Sequence, residues 1–466
     1  MLIEQIYTGC LAQGAYYIRA GLEAVIVDPM RDVKPYIDRA KQDGVKIKYI
    51  FETHFHADFV SGHVELAQKT GAEIVYGPLA NPAFKARIAK DGEIFQVGDV
   101  TFELLHTPGH TLESSCYLLR DQHGEEKALF SGDTLFLGDV GRPDLAQKAA
   151  SLTQEELAGM LYDSLQHKIM PLPDAVVVYP AHGAGSACGK NMMRETSDSL
   201  GHQKVMNYAL NQKDKQAFIQ AVTEGLTAPP AYFPHNVRLN KMGYASMDSV
   251  LLSGLKALGA DEFEHTAKRL DALVIDTRDA NDFSKGFIPG SINIGLKGDF
   301  APWLGAIIGD VNRNILLVTE PGTEEEGLTR MSRVGFDHVA GYLMGSYKTW
   351  LDSGKHSDRV IRIDAGQFEK ELNPKHDLVI DVRKPSEYQS EHLEMAVNRP
   401  LLDINSWLAT IPLTGEFYLH CAGGYRSMIA ASLLKARGVH NFKEVEGGYK
   451  TIGMTTLPKS TQSCSI

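Results

Sequence analysis

KIKYIFETHFHADFVSGH, residues 46–63, changes character halfway along. Its first six residues are rich in β-branched and aromatic side chains, dense enough for a strand buried in a sheet. Directly after that run, His54, His56 and Asp58 stand on alternate positions and the next residue is Phe59. A strand ending in metal-ligating side chains is the construction an α/β active-site rim requires, because the sheet supplies rigidity and the loop supplies chemistry.

The construction recurs through the first 240 or so residues. AVIVD (24–28), EIVYG (73–77), TFELLHT (101–107), SCYLL (115–119), KALFSGD (127–133) and AVVVYPAHG (175–183) read as strands, most of them ending in His, Asp or Gly. Four polar clusters result: His54/His56/Asp58, His110 in TPGHT, Asp133 in SGDT and His182 in YPAHG. A lone histidine is usually structural or merely exposed, whereas four clusters at strand ends point to a metal site. HGAGSACGK (182–190) has the small residues of a phosphate loop without Walker spacing.

An internal repeat follows. LVIDTRDANDFSKGFIPGSINI begins at Leu273 and LVIDVRKPSEYQSEHLEMAVNRP at Leu378, with Asp276 and Asp381 separated by 105 residues. GYLMGSYKTW (341–350) and KEVEGGYKTI (443–452) close the two copies. So long a period means two copies of a domain, and short β-branched runs alternating with helical stretches such as MIAASLLKARG predict a parallel α/β sheet in each. PPAYFPHN (229–236) reads as a proline-rich exit from the first region, and residues 355–362 as a linker between the repeats. Three domains are therefore expected: residues 1–240, 245–355 and 360–466.

The composition is that of a globular protein, and the net charge of −11 argues against nucleic acid or an anionic membrane as main partner. The N-terminal stretch lacks a leader signature, and no run approaches the ~18 apolar residues of a membrane span. Five scattered cysteines (Cys10, Cys116, Cys188, Cys421 and Cys464) form no disulfide framework, so a reducing cytoplasm is expected. Cys10, Cys116 and Cys188 read as small apolar residues, and KSTQSCSI (459–466) as a mobile tail in which Cys464 has no assigned role.

HCAGGYRS (420–427) follows the strand-like EFYL and precedes a helical stretch, placing Cys421 in a glycine loop at a helix start. Amide groups converging there, with Arg426, suit a nucleophilic thiolate and a nearby anion. The first repeat reads LLVTEPGTEEEGL at the same place and has no cysteine. It is expected to be a non-catalytic spacer or interface whose acidic loop repels sulfur oxyanions.

The four clusters of residues 1–240 resemble the metallo-β-lactamase superfamily, whose αββα sandwich carries such loops along one edge. The likeness is closest to its persulfide dioxygenase branch, helped by GRPD (141–144). The resemblance implies one Fe(II) per chain held by His54, His110 and Asp133, with His56, Asp58 and His182 around it. Two imidazoles and one carboxylate leave open positions for O2 and a thiolate. A binuclear hydrolase needs a second cation, and Phe59 has no donor atom for it. The alternative is apolar drift at Phe59 beside an intact binuclear site. Arg142 suits a substrate carboxylate or phosphate, or else clasps Asp144 within its own loop.

The second repeat resembles the rhodanese family, C-A-G-G-x-R-S, with Cys421 and Arg426 in catalytic roles and Gly423, Gly424 and Ser427 at the substrate. Only four residues separate Cys421 from Arg426, a loop suited to a persulfide more than to a phosphate. Asp381 and Arg383 would brace the fold, and Glu391, Glu394 and Met395 depart from the family pattern in a surface turn. Together the two resemblances imply a fusion that oxidises a small-molecule thiol persulfide with O2 to sulfite and makes thiosulfate through a Cys421 persulfide, and a homo-oligomer is expected. A glyoxalase II-like thioester hydrolase with an appended rhodanese, and a non-enzymatic sulfur carrier or sensor, stand as alternatives. The carrier thiol (glutathione, coenzyme A or a bacillithiol-type molecule) is left open.

Overall fold

The computed structural model describes residues 1–147, 151–226, 228–412 and 414–461. Cys464 lies outside them. They divide into two compact units, the first containing Met1–Met247 with Ser332–Gly335 and the second the remainder.

The first unit is built on two six-stranded sheets. One orders Leu2–Thr8, Gln13–Ala20, Glu23–Val27, Lys46–Phe51, Glu73–Tyr76 and Arg87–Ile88, and the other Asp198–Ser199, Val177–Pro180, Glu126–Gly132, Ser115–Arg120, Val100–His106 and Ile94–Val97. The apolar runs explain the layering, because successive side chains point to opposite faces of a strand. Tyr16, Ile18, Val25, Val27, Phe51 and Val75 meet Phe102, Leu104, Tyr117, Leu119 and Phe130 between the sheets. Their neighbours Tyr17, Ala24, Ile26, Ile50 and Ile74 face the outer layer of the first sheet with Tyr36, Ala40 and Leu66 from helices Lys34–Asp43 and His63–Thr70. Leu105, Cys116, Leu118 and Leu129 face that of the second with helices Gln154–Ser164 and Lys215–Thr223, through Ala158, Leu161, Phe218 and Val222. Runs buried on both faces read as continuous rather than alternating. This is the αββα sandwich expected from the sequence.

Two segments differ from expectation. The opening residues, notable in the sequence only for lacking a leader signature, form the antiparallel pair Leu2–Thr8 and Gln13–Ala20. PPAYFPHN is no plain exit loop, since helix Phe233–Met242 begins inside it. Pro234 is tolerated there because the first turn of a helix has no use for its missing N–H.

In the second unit each repeat forms a five-stranded parallel sheet of the same order. The first orders Ala257–Leu258, Val339–Leu343, Ile315–Val318, Leu273–Asp276 and Ile292–Asn293, and the second Arg362–Ile363, Phe442–Val445, Phe417–His420, Leu378–Asp381 and Ala396–Asn398. A buried brace is duplicated with the sheet. Arg278 grips Asp276 and reaches the carbonyl of Gly286, while Asn293 donates to the carbonyls of Asp276 and Arg278 at 3.0 Å each. Arg383 does the same with Asp381 and Glu391, and Asn398 with the carbonyls of Asp381 and Arg383. Ion pairs out of water are tolerated when their remaining hydrogen-bonding capacity is met, as it is here. The tail is ordered at its start: Lys459–Ser460 pairs antiparallel with His392–Leu393, beside the departing residues Glu391 and Glu394. No helix among the described residues is long and apolar enough to cross a membrane.

Candidate metal centre and thiol site

Thr53 follows the Lys46–Phe51 strand closely and ties its end to the neighbouring one, its N–H donating to Asp28 Oδ1 and its hydroxyl to Asp28 Oδ2, both at 2.8 Å. With its only hydroxyl proton given to Asp28, Thr53 Oγ1 accepts from His54 Nδ1 at 3.0 Å. On the other side His110 Nδ1 lies 2.9 Å from the carbonyl oxygen of Arg142, which can only accept. Both rings are thereby fixed in the tautomer that leaves Nε2 with a free lone pair. Those two atoms lie 3.8 and 3.5 Å from Asp133 Oδ2.

Asp133 is aimed by Gly132, whose φ of +53° and contact with Thr53 leave no room for a side chain. Its Oδ1 accepts from His182 Nδ1 at 2.7 Å, whereas its buried Oδ2 has no hydrogen-bond partner among the described residues. A buried carboxylate oxygen without a donor is costly, and a cation between it and two imidazole lone pairs removes the cost. The donor set fits a divalent transition metal in which two nitrogens and one oxygen leave further positions open. His54, His110 and Asp133 thus form one group of mutually close ligand atoms.

The other histidines face elsewhere. His56 Nε2 lies 3.1 Å from Asp28 Oδ1 and 3.7 Å from Glu52 Oε2. His182 stands between two carboxylates, with Nε2 2.8 Å from Asp58 Oδ2. Burial opposes its protonation, but Asp133 and Asp58 outweigh that and hold its pKa well above the usual imidazole range. Burial likewise resists ionisation of Asp133, and His182, His54 and His110 together hold it well below the ordinary carboxylate value. Burial, then His56, keeps His54 neutral, the form a metal requires. Phe59 is fully buried, with its ring 4.3 Å from that of His56 and 6.2 Å from that of His182.

GRPD positions the site without opening toward it. A Cβ at Gly141 would overlap the carbonyl oxygen of Asp133 and press on His110 Nδ1. Arg142 does not present a free guanidinium: it binds both oxygens of Asp144 at 2.6 Å and reaches the carbonyl of Ala187. The loop clasp is the arrangement found.

Of the cysteines, Cys116 sits in the outer apolar layer, where burial pushes its thiol up to about 11. Cys188 departs from the apolar reading, because its sulfur groups with Asp58 and His182. Burial, reinforced by Asp58 and Asp133, keeps that thiol protonated. No pattern in the sequence points to Thr53 or Glu52. Asp28, however, ends the run AVIVD as the ligands end theirs, and that was a readable signal.

In the second unit Cys421 follows strand Phe417–His420, and helix Tyr425–Ala436 begins four residues later. The buried sulfur accepts from the N–H of Gly424 at 3.1 Å and lies 3.4 Å from Ser427 Oγ. The second glycine pair presses on this loop from behind: Tyr449 N–H donates to the Cys421 carbonyl and Lys450 N–H to that of Ala422. Gly448, at φ +56°, approaches so closely that a Cβ would overlap the Cys421 carbonyl. Arg426, expected beside a bound anion, is held by Glu387 in two hydrogen bonds of 2.5 and 2.7 Å. Arg426 in turn holds the Glu387 carboxyl below its ordinary pKa. Tyr425 packs onto Gly298 of the first repeat and donates to the carbonyl of Gly295 at 2.8 Å. A cleft of about 600 Å³ is lined by Gly423, Gly424 and Tyr425 together with Asn281 and Lys297 of the first repeat. Strand register puts Thr319 where Cys421 stands in the second repeat.

The profile of the metallo-beta-lactamase superfamily matches residues 8–182, and that of the rhodanese-like domain matches residues 259–353 and 364–454. The chain is a metallo-beta-lactamase domain followed by two rhodanese-like domains. The metallo-beta-lactamase domain is similar to the hydroxyacylglutathione hydrolase of Tolumonas auensis, 38% identical over 171 residues, 36% of this chain and 60% of the relative. It is also similar to a probable hydroxyacylglutathione hydrolase of Schizosaccharomyces pombe, 35% identical over 34% of this chain and 57% of the relative. The chain thus spans about six-tenths of the length of these curated relatives. A solved metallo-beta-lactamase of Staphylococcus aureus is 30% identical, with a TM-score of 0.65, over 74% of this chain and 98% of its own. At that coverage the likeness extends beyond the metallo-beta-lactamase domain into the rhodanese-like ones. ETHE1 of Myxococcus xanthus is 28% identical over 52% of this chain and 98% of its own, with a TM-score of 0.44.

Proposed function

We propose that the metallo-beta-lactamase domain oxidises a low-molecular-weight thiol persulfide, RSSH + O2 + H2O → RSH + SO3²⁻ + 2H⁺, at one ferrous ion held by His54, His110 and Asp133. The second rhodanese-like domain then moves sulfane sulfur through Cys421, RSSH + SO3²⁻ → RSH + S2O3²⁻. Bound ferrous iron supplies the redox chemistry with dioxygen and open positions for a sulfur ligand. The protein orients two imidazole lone pairs and one carboxylate oxygen, and Phe59 keeps the adjoining space apolar. The observation that carries the reading is Phe59, whose fully buried ring lies 4.3 Å from that of His56 and 6.2 Å from that of His182 and offers no donor atom beside Asp58.

A second reading, favoured by the curated relatives, is hydrolysis of a glutathione thioester at two metals. It requires His182 to give up a carboxylate and Asp58 to take a metal without a histidine at position 59. Metal analysis of anaerobically prepared protein, with oxygen uptake on adding a persulfide, separates the two. One iron per chain and persulfide-dependent oxygen uptake support oxygenation. Two metals per chain with thioester cleavage and no oxygen uptake support hydrolysis. Persulfide on Cys421 without turnover would leave a sulfur carrier.

A further inference from the structure

Ser427 Oγ has one proton and three acceptors in reach of it, one of them the carbonyl of Gly424 at 3.2 Å. Glu444 Oε1 is 2.6 Å away and Cys421 Sγ 3.4 Å. The shortest, charge-assisted bond, to Glu444, has the first claim on that proton. Contacts of 3.4 and 2.6 Å then link Cys421 through Ser427 to Glu444. Glu444 is fully buried on strand Phe442–Val445, a site where a carboxylate is kept only for a reason. Its second oxygen accepts from Arg362 Nε at 2.7 Å, and Arg362 is itself held by Asn281 of the first repeat.

Taking the sulfur-accepting role of Cys421 as the basis, we propose that Glu444, acting through Ser427, is the proton acceptor for Cys421 in sulfane-sulfur transfer. As Cys421 Sγ bonds to the sulfane sulfur of the donor, the bond from that sulfur to the leaving thiolate or sulfite breaks. The Cys421 proton passes to Ser427 Oγ while the Ser427 proton passes to Glu444. On delivery, sulfite bonds to the terminal sulfur of the Cys421 persulfide, the persulfide bond breaks, and the thiolate recovers its proton by the reverse path. Sulfur changes partner without any external oxidant or reductant.

The surroundings favour this role. Burial pushes the Glu444 pKa up, with Arg362 opposing it and Glu446 adding to it, so the carboxylate is a better base than an exposed one. Arg362 faces it from strand Arg362–Ile363, Ser427 and Cys421 from the catalytic loop and helix, and Glu446 lies 3.5 Å from Arg362. Arg426, the nearest other cation of the loop, is committed to Glu387. The N–H of Gly424 remains to receive the sulfur charge. Glu444 touches no substrate and is a positioning residue that also holds a proton.

The test loads full-length protein with thiosulfate, an anion of constant charge across the range used, and follows by mass the single sulfur atom added to Cys421. Wild type should load at a rate nearly flat between about pH 6 and pH 8. Glu444→Gln should be slowest at the acid end and rise by about tenfold per pH unit toward wild type, because thiolate must then come from hydroxide. Ser427→Ala, which breaks the same path with a smaller residue, should show the same slope, and Glu444→Asp should restore part of the flat region. A purely structural role would lower the rate equally at every pH, and parallel profiles in both variants would overturn the proposal. A wild-type chain that loads no sulfur at all would instead defeat the reading of Cys421.

Discussion

Asp133 spends Oδ1 on His182, at 2.7 Å, and leaves Oδ2 facing the Nε2 atoms of His54 and His110. One carboxylate therefore has two duties, accepting a hydrogen bond from His182 and closing a group of three candidate ligand atoms. The two cannot be exchanged, because the hydrogen bond fixes which oxygen is free.

Replacing Asp133, His54 or His110 by Ala should abolish bound iron and persulfide-dependent oxygen uptake. The loss should exceed the roughly 10–100-fold that removal of a supporting hydrogen bond costs a metal site. Sulfane-sulfur loading of Cys421 should be unchanged, since its loop has its own hydrogen bonds. Full oxygen uptake by Asp133→Ala would sink the ligand assignment.

Gly141→Ala tests the close approach of the GRPD backbone. The added methyl would overlap the Asp133 carbonyl and crowd His110 Nδ1, so the loop must move and the Arg142 carbonyl with it. Iron content should fall while rhodanese activity stays, and metal analysis of the purified variant checks it.

Phe59→His places a donor beside Asp58 in a space now filled by an apolar ring. Zinc uptake should rise above one per chain and oxygenation should slow, as His182 is drawn from its carboxylates toward a second cation. If wild-type protein already holds two metals per chain, the role given to Phe59 is wrong.

Cys421→Ser should uncouple the two reactions. A hydroxyl cannot carry sulfane sulfur as a persulfide, and the first repeat offers Thr319 at the equivalent place. Sulfite should accumulate where wild type yields thiosulfate, measured after subtracting the uncatalysed reaction of sulfite with persulfide.

Glu387 offers a test by acidity. Its folded pKa is depressed by Arg426, so the pairing is present above the unfolded carboxylate value, about 4.3, and is lost as pH falls through the lower folded value. Loop protection of the Cys421 peptide, followed by hydrogen exchange, should drop over that acid window in wild type. In Glu387→Gln it should already be reduced at neutral pH and show no further step.

What the sequence reveals and what it hides follow from contact range. The candidate metal group His54, His110 and Asp133 was legible because each ends an apolar run, a local pattern. The sandwich was legible because alternate burial of AVIV-type runs is local too. Asp28 holding Thr53 from 25 residues away was not, nor was Glu387 holding Arg426 across 39 residues, because tertiary folding alone makes such pairs. Arg142 stayed open between two readings for the same reason: a guanidinium in a sequence does not say whether its carboxylate is a substrate or its own Asp144. The hairpin of the first twenty residues was missed because LIEQIYT alternates too weakly to announce a strand.

The hydroxyl of Tyr425 rests on the carbonyl of Gly295, which lies 130 residues earlier in the chain. Seen from the ribosome, this is a matter of timing. Synthesis at 5–20 residues per second delivers Gly295 roughly ten seconds before the catalytic loop. The last strand of the first repeat's sheet, Val339–Leu343, is also made before that loop, and its edge strand Ile292–Asn293 later gains a partner when Asn293 N–H donates to Ser432 Oγ at 3.0 Å. The cysteine-free copy is thus fully synthesised when Cys421 emerges, and the newborn loop meets strands that are already there to receive it.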